Sequence, residues 1–185
     1  APGIAVFGLS FMTLFSATLI AKDRESAFLA RLYTTPLTAS DFIFGYMLPL
    51  LPIALAQCLI TYGAAILLGL AVTVDLLCAV LLILPISLFY IALGLLAGSV
   101  LNVKQVGGIC GALLTNLSAW LSGTWFDLDL VGGAFRKIAY ALPFVHAVEA
   151  ERAVLSGNSA DLWQHLAVVL GYGAVTAVAA VCLFL

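Results

Sequence analysis

Lys22-Asp23-Arg24-Glu25-Ser26-Ala27-Phe28-Leu29-Ala30-Arg31-Leu32-Tyr33-Thr34-Thr35-Pro36-Leu37-Thr38-Ala39-Ser40-Asp41 is a charged island between two long apolar runs. Such an island is expected where a short aqueous segment joins two membrane crossings. From Asp23 to Leu32 the spacing is helical, with Phe28, Leu29 and Leu32 on one face and Arg24, Glu25 and Arg31 mostly elsewhere. Two readings fit this pattern: a loop with a helical turn, or a short docking helix that takes force from a soluble partner.

Composition sets the class. The chain has 185 residues, 64% of them hydrophobic and 9% charged, and a mean hydropathy of +1.21. Soluble domains carry about 25% charged residues, so this chain cannot cover a globule in water. An all-α, polytopic membrane helix bundle is expected. There is no basic patch for nucleic acid. Ala1 opens inside an apolar run without an initiator Met, so a fragment or a processed chain is expected. Cys58, Cys78, Cys110 and Cys182 stand apart, one per apolar run. Their spacing suits neither a metal nor a redox pair, and they read as small buried side chains.

Working outward from the island, spans are expected at about 1–21, 39–70, 76–101, 106–126 and 162–185. Ser10, Thr13 and Ser16 give the first a mildly polar stripe. Pro36 ends the short helix, and Thr38 with Asp41 forms a capping box for the second span. Pro49 and Pro52 are expected to kink that span. Thr73 or Asp75 can cap the third span, and Gly94 and Gly98 allow close approach of another helix. Asn102-Val103-Lys104-Gln105 is a short link into the fourth, which opens with Gly107, Gly108 and Gly111 and carries Asn116, Ser118 and Ser122. Residues 134–142 and 144–155 are expected as two short helices, separated by Pro143, that lie in or dip into one interface. The island and Lys104 then share one side. Their basic residues, Lys22, Arg24, Arg31 and Lys104, against Arg136, Lys137 and Arg152 on the other, favour a cytoplasmic island.

The expected spans carry no Asp, Glu, Lys or Arg near their middles, which argues against an ion-coupled carrier. His146 and Glu149 share a face, but a Glu149–Arg152 surface pair accounts for that Glu. No clustered metal ligands and no Gly-x-x-x-x-Gly-Lys-Ser/Thr loop occur. An energy source must come from a partner, or the protein is passive.

The stretch Arg24 to Leu37 resembles the segment of type-2 ABC exporter permeases that runs Arg/Lys-Glu, small residues, an apolar pair, Arg-Leu, two variable residues, Thr-Pro-Leu. Asp41-Phe42-Ile43 with Gly45, Leu121-Ser122-Gly123-Thr124-Trp125-Phe126, and Ile138-Ala139-Tyr140-Ala141-Leu142-Pro143 resemble later parts of the same family in the same order. The resemblance implies helices two to six of a six-helix permease, with a cytoplasmic coupling helix at about 23–35 and two short external helices. It implies a cytoplasmic ABC ATP-binding subunit as partner, with ATP and Mg held there and no catalytic or metal site in this chain. It implies a second permease half, identical or not, and a cell membrane location, bacterial inner or cytoplasmic. Arg24, Glu25, Phe28, Leu29, Arg31, Leu32 and Pro36 would form the ATPase-coupling set. Ala27 and Ala30 depart from the family pattern, where Gly or Thr and a charged residue are usual. Ser10, Thr13, Asn116 and Ser118 would be candidates for the translocation path, with interhelical hydrogen bonds as the alternative role. A secondary carrier or channel, or a non-transporting membrane scaffold, are the rival functions.

Overall fold

The computed structural model describes residues 1–26, 38–126 and 128–184. Phe28, Leu29, Arg31, Leu32 and Pro36, and most of the expected coupling helix, lie outside the described residues. Among the described residues every regular element is helical, and four helices are long and apolar enough to cross a membrane. These are α1 (Pro2–Glu25), α2 (Ala39–Leu67), α3 (Val74–Val100) and α9 (Ser159–Phe184).

Local chemistry sets the ends of these helices. Thr38 and Asp41 form a reciprocal capping box at the start of α2, the Thr38 N–H donating to Asp41 Oδ2 at 2.9 Å. Thr73 caps α3 by accepting from the Leu76 N–H. Pro49 and Pro52 each remove one backbone donor, yet α2 continues through both. Lys22, Asp23, Arg24 and Glu25 extend α1 by a turn beyond the expected span. The helix seen there is therefore the tail of α1, and the separate short helix expected from Asp23 does not begin at that residue.

The α1–α3 pair is the spine of the bundle. Gly94 and Gly98 of α3 lie against the backbone carbonyls of Thr13 and Ala17 in α1, so close that a Cβ at either position would overlap them. At the same crossing the Thr13 hydroxyl donates to the Tyr90 carbonyl at 2.8 Å. Small residues and hydroxyls bring helices together where lipid supplies no hydrophobic drive. Ile20, Ile83, Ile86, Ile91 and Leu95 are fully buried, whereas Leu48, Ile60, Leu67, Leu77 and Val178 project outward. That apolar exterior is what a bilayer-embedded surface requires. Cys58 and Cys110 are buried as expected, but Cys78 and Cys182 are exposed, because each sits on the outward stripe of its helix.

The expected fourth crossing is a composite. It begins earlier than 106, with α4 (Val103–Val106) capped by Asn102 and Gln105, continues as a π-helix from Gly107 to Leu114, and ends as α5 (Thr115–Leu121). Backbone dihedrals stay helical across both junctions. Of the glycines in the π-helix, Gly107 and Gly108 have open space around them and Gly111 lies against Leu14 of α1. The Thr115 hydroxyl donates to the Cys110 carbonyl five residues back, at 2.9 Å.

After α6 (Leu128–Val131) come α7 (Gly133–Ala141) and α8 (Pro143–Leu155), near the expected boundaries. They dip into the bundle. The Tyr172 hydroxyl donates to the Ala141 carbonyl at 2.8 Å, and Tyr172 lies about 20 Å along α9 from its start, at about 1.5 Å per residue. Phe144 meets Phe89 and Tyr90 of α3. Val145, Ala147, Val148 and Ala150 have no exposed surface. The tip at Leu142-Pro143 is thus the deep end of a re-entrant hairpin.

Candidate functional site

At the α1 end of the island, Arg24 and Glu25 each reach a helix terminus. The Arg24 guanidinium donates to the Gly98 carbonyl, in the last turn of α3, at 3.0 Å. Glu25 Oε1 accepts from the Val103 N–H, the first of α4, at 3.4 Å. A cation at a helix C-terminus and a carboxylate at an N-terminus both complement the peptide dipoles. Tyr46 of α2 donates to Asp23 Oδ2 at 2.5 Å. Asp23, Arg24 and Glu25 therefore bind the island's root to α2, α3 and α4. A cleft of 230 Å³ separates these groups, lined by Ala21, Arg24, Glu25, Leu101, Asn102 and Gln105. The α3–α4 turn and the end of α1 share one end of the bundle, as crossing order requires.

The expected path residues divide. Ser10, Thr13 and Ser118 are enclosed within this one bundle. Ser10 donates to the Phe7 carbonyl at 2.7 Å, Thr13 bonds Tyr90 across the helix crossing, and Ser118 lies 3.4 Å from the Tyr90 hydroxyl. Asn116 alone of the four is exposed, its amide donating to the Ala112 carbonyl at 2.6 Å. It shares an outward face with Ile109, Leu113, Leu117 and Trp120.

At the opposite end, Arg152 forms the expected pair with Glu149 at 2.6 Å and also donates to the Gly123 carbonyl at 3.0 Å. This ties α8 to the loop after α5, around a cleft of 580 Å³ that also touches Trp125, Phe126 and Tyr140. His146 Nε2 donates to the Tyr140 carbonyl at 3.0 Å. His146 Nδ1 is then the acceptor from His165 Nδ1, 2.7 Å away on α9. Among the described residues no group of three or more ligands could hold a metal.

A model of the family described as ABC-2 type transporter matches residues 1–155. The chain belongs to that family. As an ABC-2 membrane domain it is a multi-pass permease component of an ABC transporter, a class that works with an ABC ATP-binding partner. No curated protein and no solved structure matches the chain. The matched region takes in the whole re-entrant hairpin and with it a buried pair, Glu151 and Tyr62, to which sequence reasoning gives no role. Glu151 of α8 is fully buried, and the Tyr62 hydroxyl of α2 donates to its Oε2 at 2.6 Å. A signal for it existed: Glu151 falls on the Ala147, Val148, Val154 stripe of α8, on the side opposite Glu149.

Proposed function

We propose that this permease is one half of an ATP-driven exporter of a bacterial inner or cytoplasmic membrane. Its charged island receives the motion of a cytoplasmic ATP-binding subunit, which holds the ATP and Mg. The observation that carries this reading is the three-way attachment of Asp23, Arg24 and Glu25 to α2, α3 and α4. A segment pushed by a motor must be rooted in several helices if its motion is to reach the bundle, and this root is. Arg31 and the Phe28, Leu29 and Leu32 face would meet the motor, with charge setting partner choice, and Pro36 would pass the motion to the Thr38 cap of α2.

A second copy, or a related half, would stand against the outward face that carries Asn116. An exposed amide among Ile109, Leu113 and Leu117 is costly against lipid and useful beside a translocation path. Thr13, Ser10 and Ser118 then act on the path through the packing of the bundle rather than by touching cargo.

The test is reconstitution with the ABC ATP-binding subunit that a mild-detergent pull-down recovers. Arg24→Ala and Glu25→Ala are expected to insert normally and to lose permease-stimulated ATP hydrolysis and transport together. Full stimulation in the double variant would overturn the reading. Nucleotide-independent flux would instead favour a channel or carrier.

A further inference from the structure

Glu151 is the one fully buried side chain with a formal charge among the described residues. Its Oε2 accepts from the Tyr62 hydroxyl at 2.6 Å, while its Oε1 is enclosed without any hydrogen-bond partner. Among the described residues no cation pairs with it. An ionised carboxylate with a single hydrogen bond and no counter-charge is severely disfavoured in such surroundings; neutralisation is the usual escape.

Tyr62 and Cys58 interact with Glu151 directly, and among the described residues the other elements packed against α8 bring no cation to it. From α2 come Tyr62 and Cys58, both buried and both proton donors rather than cations at neutral pH. From α3 comes Tyr90, near Phe144. From α5 come the hydroxyls of Ser118 and Ser122. The buried face of α1, from Gly3 to Ala21, is apolar or hydroxyl-bearing. His165 of α9 is engaged with His146 of α8, and Tyr140 of α7 stacks edge-on against His146 with Arg136 over its ring. On α8 itself Arg152 is committed to Glu149 and Gly123.

We propose that Glu151 is a buried proton site: α8 sits in the bundle with this carboxyl protonated and loses its seat when the proton leaves. Nothing in this depends on the ATP-binding partner or on a second permease half. Burial pushes the carboxyl up to about 8, against the Tyr62 hydrogen bond, which pulls it down. The sign follows from linkage. A carboxyl whose pKa is raised in the seated state makes seating strongest at low pH. Seating then weakens as pH rises from the free carboxyl's value, about 4.3, and the loss levels off above the raised value.

The experiment is infrared difference spectroscopy of the full chain in lipid nanodiscs over a pH series, with amide hydrogen exchange of α8 on the same samples. A protonated-acid C=O band is expected in the wild type and absent in Glu151→Gln. It should vanish in the weakly alkaline range, and the opening of α8 should rise about tenfold per pH unit below that point. Exchange is to be corrected for the intrinsic pH dependence of amide chemistry. Glu151→Gln, a permanent mimic of the acid, should hold α8 equally closed at every pH. Tyr62→Phe should move the midpoint still higher, because the phenol favours the ionised form. A band that vanishes in the ordinary carboxylate range, or α8 exchange that tracks pH alike in wild type and Glu151→Gln, would overturn the proposal. If Glu151→Gln does not fold, an unmoved midpoint in Tyr62→Phe would overturn it as well.

Discussion

Gly94 shows how much one missing side chain decides here. A Cβ at this position would stand 2.9 Å from the Thr13 Cα and closer still to the Thr13 carbonyl, which is backbone and cannot swing aside. Gly94→Val is therefore expected to push α1 off α3 and to break the Thr13–Tyr90 hydrogen bond. Overpacking of this kind costs about 1–3 kcal/mol or more. Gly171 of α9 meets nothing within 4 Å, so Gly171→Ala should hold or slightly raise stability through helix propensity. Equilibrium unfolding in mixed micelles checks both variants, and equal stability of the two would refute the close-approach argument. Glu151 makes the converse point. It is one polar residue on an apolar stripe, and the amphipathic pattern that marks Arg136 and Lys137 as solvated says nothing about what a single misplaced carboxyl will meet.

At the scale of the element, the π-helical stretch from Gly107 to Leu114 is the departure from regular geometry. Five-residue closure in place of four holds one surplus residue per turn, and π segments of this sort concentrate at functional sites. Gly108 has open space around it. Its deletion should let the stretch close as ordinary α-helix while Asn116 and Trp120 keep their faces. Deleting Ala119, which is buried in α5, should instead rotate everything beyond it and abolish folding. Yield of monodisperse protein after detergent extraction distinguishes them, and equal loss from both deletions would mean the π turn is not a tolerated insertion. Glycines at 107, 108 and 111 announce a flexible helix start, but they do not announce a change of hydrogen-bond register. That register is a matter of which backbone carbonyl each N–H reaches once the bundle is packed; the Thr115 hydroxyl, on the Cys110 carbonyl, accompanies it. The re-entrant hairpin is similar. Pro143 and the length of both helices rule out a crossing, whereas the depth of the tip is set by its contacts with Phe89 and Tyr172.

For the whole molecule, burial predicts a pattern of thiol reactivity. Cys78 and Cys182 face outward and should couple to a membrane-permeant maleimide in the native protein, while Cys58 and Cys110 should react only after unfolding. Intact-mass counting of adducts reads this directly, and four adducts before unfolding would contradict the packing of α2 and the π-helix. Hydropathy, helix caps and the order of charged segments were enough to establish a polytopic all-α bundle, the short helices at 134–142 and 144–155, and the ABC-2 resemblance. Those features depend on local energetics: the cost of an unsatisfied peptide group in lipid, the capping of a helix end, the break at proline. The partners of buried polar atoms lay beyond such reasoning. That Thr13 meets Tyr90, that Arg24 and Glu25 clasp the termini of α3 and α4, and that Glu151 faces Tyr62 depend on which helix faces which. Contacts between residues tens of positions apart are chosen by packing the entire bundle, and no local pattern encodes them.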